Sequence, residues 1–108
     1  MEYIVHRIKL LPAVDPQHFE RWVRDVDYAT CPRLPSVRSF SVQRVSHQPD
    51  DPFHYFEIIG VTDRAAFDRD MELDAFHGLE QAFATMAVVV DETAGERVGT
   101  GYSTAPAW

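Results

Sequence analysis

The chain has 108 residues, enough for one domain with one core. It is 45% hydrophobic and 12% aromatic, too apolar for a disordered segment, and its single cysteine, Cys31, excludes an internal disulfide and any multi-cysteine metal site. A formal charge of −7 with scattered basic residues argues against nucleic-acid backbones and anionic membranes as partners, since both call for clustered Lys and Arg. No apolar run approaches the roughly 20 residues that span a bilayer. Met1-Glu2-Tyr3 lacks the basic start of a signal peptide, so the cytoplasm is the expected compartment.

Residues 2–11 read as a first strand. Ile4, His6, Ile8 and Leu10 alternate with Tyr3, Val5, Arg7 and Lys9, which sets His6 in the middle of an apolar face. Pro12 closes the strand. Asp15 suits a helix N-cap and Pro16 the first helical position, where no amide donor is missed. Phe19, Trp22, Val23, Val26 and Thr30 then recur at helical spacing as the inward face, opposite Glu20, Arg21, Arg24 and Asp25, until Pro32 and Pro35 end the helix. Residues 36–46 form a second strand, Gln48-Pro49-Asp50-Asp51-Pro52 a hairpin loop, and 53–61 a third strand apolar on both faces. Thr62-Asp63 caps a short helix with Phe67 and Met71. Asp74 restarts it, and Phe76, Leu79, Phe83 and Met86 complete an amphipathic stripe. Val88-Val89-Val90 is the last strand, and residues 95–108 are read as an extended arm.

This order is the ferredoxin-like βαββαβ arrangement: an α+β domain over residues 1–108, with a four-stranded antiparallel sheet and both helices on one face. Two helices cover only that face, yet Tyr3, Val5, Phe53, Tyr55 and Ile59 are expected to place apolar groups on the other. A second sheet supplied by a twofold homodimer would bury it, giving a dimeric α/β barrel.

Several side chains can do chemistry. His6 facing the helices can move a proton on a bound substrate, or it can be a core histidine tied to a carbonyl or carboxylate. His54, if it points the same way, can meet His6 across the sheet. No HxH, HExxH or HxxxE spacing supplies further metal ligands, and no metal is expected. Glu57 stands among Tyr, Phe and Ile, where an unpaired carboxylate is costly; pairing with Arg7, Arg38 or Arg44 is the plainer account, catalysis the other. Asp27, Tyr28 and Cys31 sit at the end of the first helix, lining a pocket mouth or capping the helix. Cys31 has no following helix N-terminus to activate its thiol. Trp22 and the phenylalanines are core, or the walls of a site for a flat aromatic ligand. GxGxxG, P-loop and GxSxG motifs are all missing, so a cofactor-free site is the expectation.

The combination His6-Arg7, Trp22-Val23, Asp27-Tyr28-x-Thr30-Cys31 and Leu34-Pro35-Ser36-Val37-x-Ser39-Phe40 resembles the RedY-like (HapK) family. Tyr55-x-Glu57, Phe67-x-x-Asp70 and Gly99-x-Gly101-Tyr102 extend the likeness over nearly the whole chain, and only the ending from Ser103 to Trp108 fits no pattern. The resemblance implies a dimeric α/β barrel of bacterial secondary metabolism, with relatives in prodiginine pathways or tailoring tryptophan-derived bisindoles. The implied activity is cofactor-independent ring closure or condensation of a reactive heteroaromatic intermediate with loss of water. By residue type and facing, His6, Tyr28 and Glu57 are the expected catalytic groups. Trp22, Asp27, Cys31, Ser39, Phe40, His54 and Phe83 are expected to contact a small aromatic substrate. A cofactor-independent monooxygenase and a non-catalytic carrier of the intermediate are the alternatives.

Overall fold

Strand β1, Glu2–Leu10, runs through the middle of the molecule because its alternating side chains are needed on both faces. A computed structural model describes residues 1–104; the far end of the expected arm, residues 105–108, lies outside the described residues. After β1 come α1 (Pro16–Trp22), a π-helical turn (Val23–Asp27), α2 (Tyr28–Thr30) and a 3-10 turn (Cys31–Arg33). Then follow β2 (Val37–Arg44), β3 (Tyr55–Val61), α3 (Arg64–Asp70), α4 (Asp74–Ala84) and β4 (Ala87–Glu96). The sheet order is β2-β3-β1-β4 with every pairing antiparallel, which is the ferredoxin-like α+β fold.

The helix starts follow local chemistry. The Asp15 side chain accepts from the Gln17 amide at 2.9 Å with Pro16 at the first helical position, and Asp63 accepts from the Ala66 amide at 2.7 Å. Asp74 is instead the first residue of α4, whose cap, Leu73, offers no side-chain bond. β4 is much longer than Val88-Val89-Val90 and takes in Gly95 and Glu96, expected in the arm, because Tyr3 and Glu2 pair with them. Among the described residues no helix is long and apolar enough to cross a membrane.

Two apolar clusters lie between sheet and helices. One gathers Ile8, Leu10, Phe19, Val23, Tyr55, Met86 and Ala87; the other gathers Ile4, Ile59, Val61 and Phe67, with Phe40 and Phe76 against it. Tyr55 and Ile59 are thus buried under the helices, not on the open face as expected, because they register with Ile8 and Ile4. The half-buried apolar groups of the open face are Tyr3, Val5, Phe56 and Ile58. Phe53 precedes β3 and sits under the Arg7 guanidinium, 5.0 Å from its ring centre.

Candidate active site

The two clusters leave one row of the sheet between them, and three of its four side chains are polar or charged. Strand register places Val42, Glu57, His6 and Glu92 side by side across all four strands on the helix side. The His6 Nδ1 lies 2.7 Å from Glu57 Oε1, and its Nε2 lies 2.8 Å from Glu92 Oε1. Carboxylates accept, so both ring nitrogens must donate, and the arrangement demands the imidazolium. Burial pulls the His6 pKa down, but the bonds to Glu57 and Glu92 outweigh it and hold the value above the ordinary 6.5. The bond from His6 holds the Glu92 carboxyl below its usual range, and Arg64, at 3.5 Å, assists.

Opposite this row stands Asp27, delivered by the π turn. The Tyr28 amide bonds to the Val23 carbonyl, five residues back, so the turn carries one residue more than an α-helix. A regular helix would have turned Val26 inward, as its spacing suggests. The extra residue instead leaves Val26 42% exposed and buries Asp27 to 7% and Cys31 to 8%. Burial first, then the nearby Glu57 charge, pushes the Asp27 carboxyl up to about 7, opposed only slightly by a 3.5 Å bond from the Cys31 thiol. Burial also pushes that thiol well above its usual range, with Asp27 adding to it, so Cys31 is no thiolate nucleophile at neutral pH.

These groups border a cavity of about 510 Å³ between sheet and helices, a volume suited to a small ligand. Trp22, Phe40, Phe67, Phe76 and Phe83 supply rings to its walls, with Leu34, Ile59 and Leu79 filling in. His6, Asp27, Glu57 and Glu92 give it one polar side.

Of the residues singled out from the sequence, the structure gathers His6, Trp22, Asp27, Cys31, Phe40, Glu57 and Phe83 around this cavity. Three lie elsewhere. The Tyr28 hydroxyl accepts from the Val42 amide at 2.9 Å and packs its ring edgewise on Phe40, covering the free edge of β2 outside the cavity. Ser39 registers with Gly60 on the open face, where a β-carbon on that glycine would come within 2.3 Å of the Ser39 Oγ. His54 is buried at the start of β3: its Nδ1 accepts from the Leu10 amide at 3.0 Å and its Nε2 donates to the Gln48 carbonyl at 2.9 Å. It does not meet His6. Nor does Glu57 pair with an arginine, since Arg7 is engaged by Asp91 and Arg44 by Glu20, and His6 takes that part.

Sequence reading missed Glu92, because the last strand was expected to stop at Val90. Alternation alone would not have found it, because a register shift between Arg7 and Ile8 in the β1–β4 pairing is what lets Val89 and Glu92, three residues apart, both face the cavity. Among the described residues no three His, Cys, Asp or Glu side chains converge as a metal-binding group.

Residues 2–98 match the family model described as REDY-like protein HapK. Among solved structures, HapK from Hahella chejuensis is 55% identical, with a TM-score of 0.94 over 97% of this chain and 100% of its own. SnoaB, a cofactor-independent oxygenase from Streptomyces nogalater, is 20% identical with a TM-score of 0.71 over 92% of this chain and 94% of its own. A dimeric ferredoxin-like protein of unknown function from Thermobifida fusca is 12% identical with a TM-score of 0.63 over 87% and 85%. The last two likenesses are of fold. No curated protein matches.

Proposed function

Because the chain belongs to the REDY-like protein HapK family, we propose that it is a tailoring enzyme of bacterial secondary metabolism. It closes or condenses a reactive bisindole or oligopyrrole intermediate by proton transfer, with loss of water and without a redox cofactor. The observation that carries this reading is Asp27, buried on a ring-lined cavity and facing the Glu57–His6–Glu92 row, with a carboxyl that exchanges its proton near neutral pH.

In the condensation, a nucleophilic ring carbon bonds to a carbonyl carbon. Protonated Asp27 gives its proton to the carbonyl oxygen as that bond forms, and the carboxylate then takes the proton from the ring carbon. The restored acid protonates the new hydroxyl, which departs as water, and the carboxylate takes the ring N–H proton of the conjugated cation left behind, which restores the acid again. The ring walls hold the planar substrate in its reactive pose. His6, with both N–H groups engaged, fixes the two glutamates and offsets part of their charge, so it is a positioning residue in this scheme. Tyr28, outside the cavity, takes no part.

Two copies are inferred to pair through the open sheet face, where Tyr3, Val5, Phe56 and Ile58 lie half-buried in the single chain. A dimeric ferredoxin-like neighbour supports this.

The test is turnover of a bisindole or oligopyrrole intermediate by the purified protein, with and without oxygen. Product mass lower by one water, formed equally well without oxygen and lost in Asp27→Asn, is the expected result. A strict oxygen requirement would favour the monooxygenase alternative. Tight retention of unchanged ligand would favour the carrier.

A further inference from the structure

We propose that the cavity selects a nitrogen-bearing planar ring system that offers an N–H or a positive charge to Asp27, and that it turns away rings carrying a carboxylate. This rests on the functional reading above and narrows its substrate class to the uncarboxylated, hydrogen-donating members.

Three observations carry it. Asp27 is 7% exposed, and among the described residues its one hydrogen bond is the long contact from the Cys31 thiol. Among those residues no sealed side-chain oxygen lacks a partner, so the second oxygen of Asp27 is reached from the cavity and is free to accept from a ligand. Second, the charged groups lining the cavity are Asp27, Glu57, Glu80 and Glu92 against His6 alone, and His6 is already held between two of those carboxylates. No Lys or Arg among the described residues lines it, and Arg64, behind Glu92, is engaged by Asp68 and Glu92. An entering carboxylate would meet like charge, the part on Asp27 and Glu57 largely out of water, with no free cation to receive it. Third, Trp22, Phe40, Phe67, Phe76 and Phe83 turn aromatic surface to the same space, and the negative faces of such rings attract cations.

Three probes sharing one ring test this: tryptamine (a cation at neutral pH), 3-methylindole and indole-3-propionate, each titrated calorimetrically into the intact protein. Tryptamine is expected to bind about tenfold or more tighter than indole-3-propionate, with 3-methylindole between them. Added salt and the variants Asp27→Asn and Glu80→Gln should each narrow that gap. Glu80 is an exposed residue of α4, so its variant is a safe control for folding. If indole-3-propionate binds as well as tryptamine while 3-methylindole still binds, charge selection is overturned and the aromatic site survives. If none of the three binds, both this proposal and the reading it rests on fall.

Discussion

Glu20 and Asp27 stand seven positions apart on one helical segment, and the fold treats them in opposite ways. Glu20 accepts from the Arg44 guanidinium, from the Tyr55 hydroxyl at 2.7 Å and from His47 at 3.1 Å, and the Arg44 bond above all holds its carboxyl down to about 2. Asp27 has no cation against it. It is buried beside a second carboxylate, and its pKa rises to about 7. Same chemistry, same segment, opposite proton affinity: the partners that face each side chain decide whether a carboxylate is an anchor or an acid–base group. The extra residue of the π turn separates the two environments.

The comparison is most sharply broken by Asp27→Asn. Turnover is expected to fall by about 10²–10⁴-fold, as for loss of a placed proton donor, with Tm unchanged or raised because an uncompensated buried acid is removed. Glu20→Gln should leave turnover intact and lower Tm. Deleting Val26 tests the turn itself. The segment should close into a regular helix, keep its far-UV circular dichroism and bring Asp27 to the inward position that Val26 would have taken, so that turnover is retained, unlike in Asp27→Asn.

The acid and alkaline limits of stability sharpen the same contrast. The Asp27 pKa is raised on folding, so its stabilising share is complete below 3.8 and is lost as pH rises through about 7. Across that window the change is about 4 kcal/mol. His6 acts in the same direction above 6.5, its share vanishing as pH passes its raised value. The Glu20 pKa is lowered, so its share is present above 4.5 and is lost as pH falls towards about 2. Urea unfolding from pH 2 to 9 should therefore show Asp27→Asn flattening the decline towards neutral pH and Glu20→Gln flattening the acid decline. A smaller effect is expected at His54. His54→Ala leaves the Leu10 amide unpaired and should remove about 1–3 kcal/mol of stability, read as a shift in the urea midpoint, without touching turnover.

Much of this was legible in the chain. Alternation in residues 2–10, the Asp15-Pro16 start and the stripe from Phe76 to Met86 were enough for the ferredoxin-like order, because each is a local pattern with one backbone solution. His6 and Glu57 could be placed on strands and weighed as candidate chemistry. Their partnership could not be read, since it depends on register between strands 51 residues apart. Helical spacing favoured Val26 as the inward residue, and nothing in the local sequence announces a π turn that buries an aspartate in its place.

What the sequence by itself determined was the order of elements and the supply of groups: a histidine on an apolar strand face, three carboxylates and enough rings for a cavity. Tertiary structure alone decided which of them meet. Register set Glu57 and Glu92 on either side of His6, the π turn aimed Asp27 at them, and backbone bonds drew His54 and Tyr28 away. The physical reason is range. Hydrophobic period and capping act within a few residues, whereas proton affinity is set by charges and burial that only the folded chain brings together.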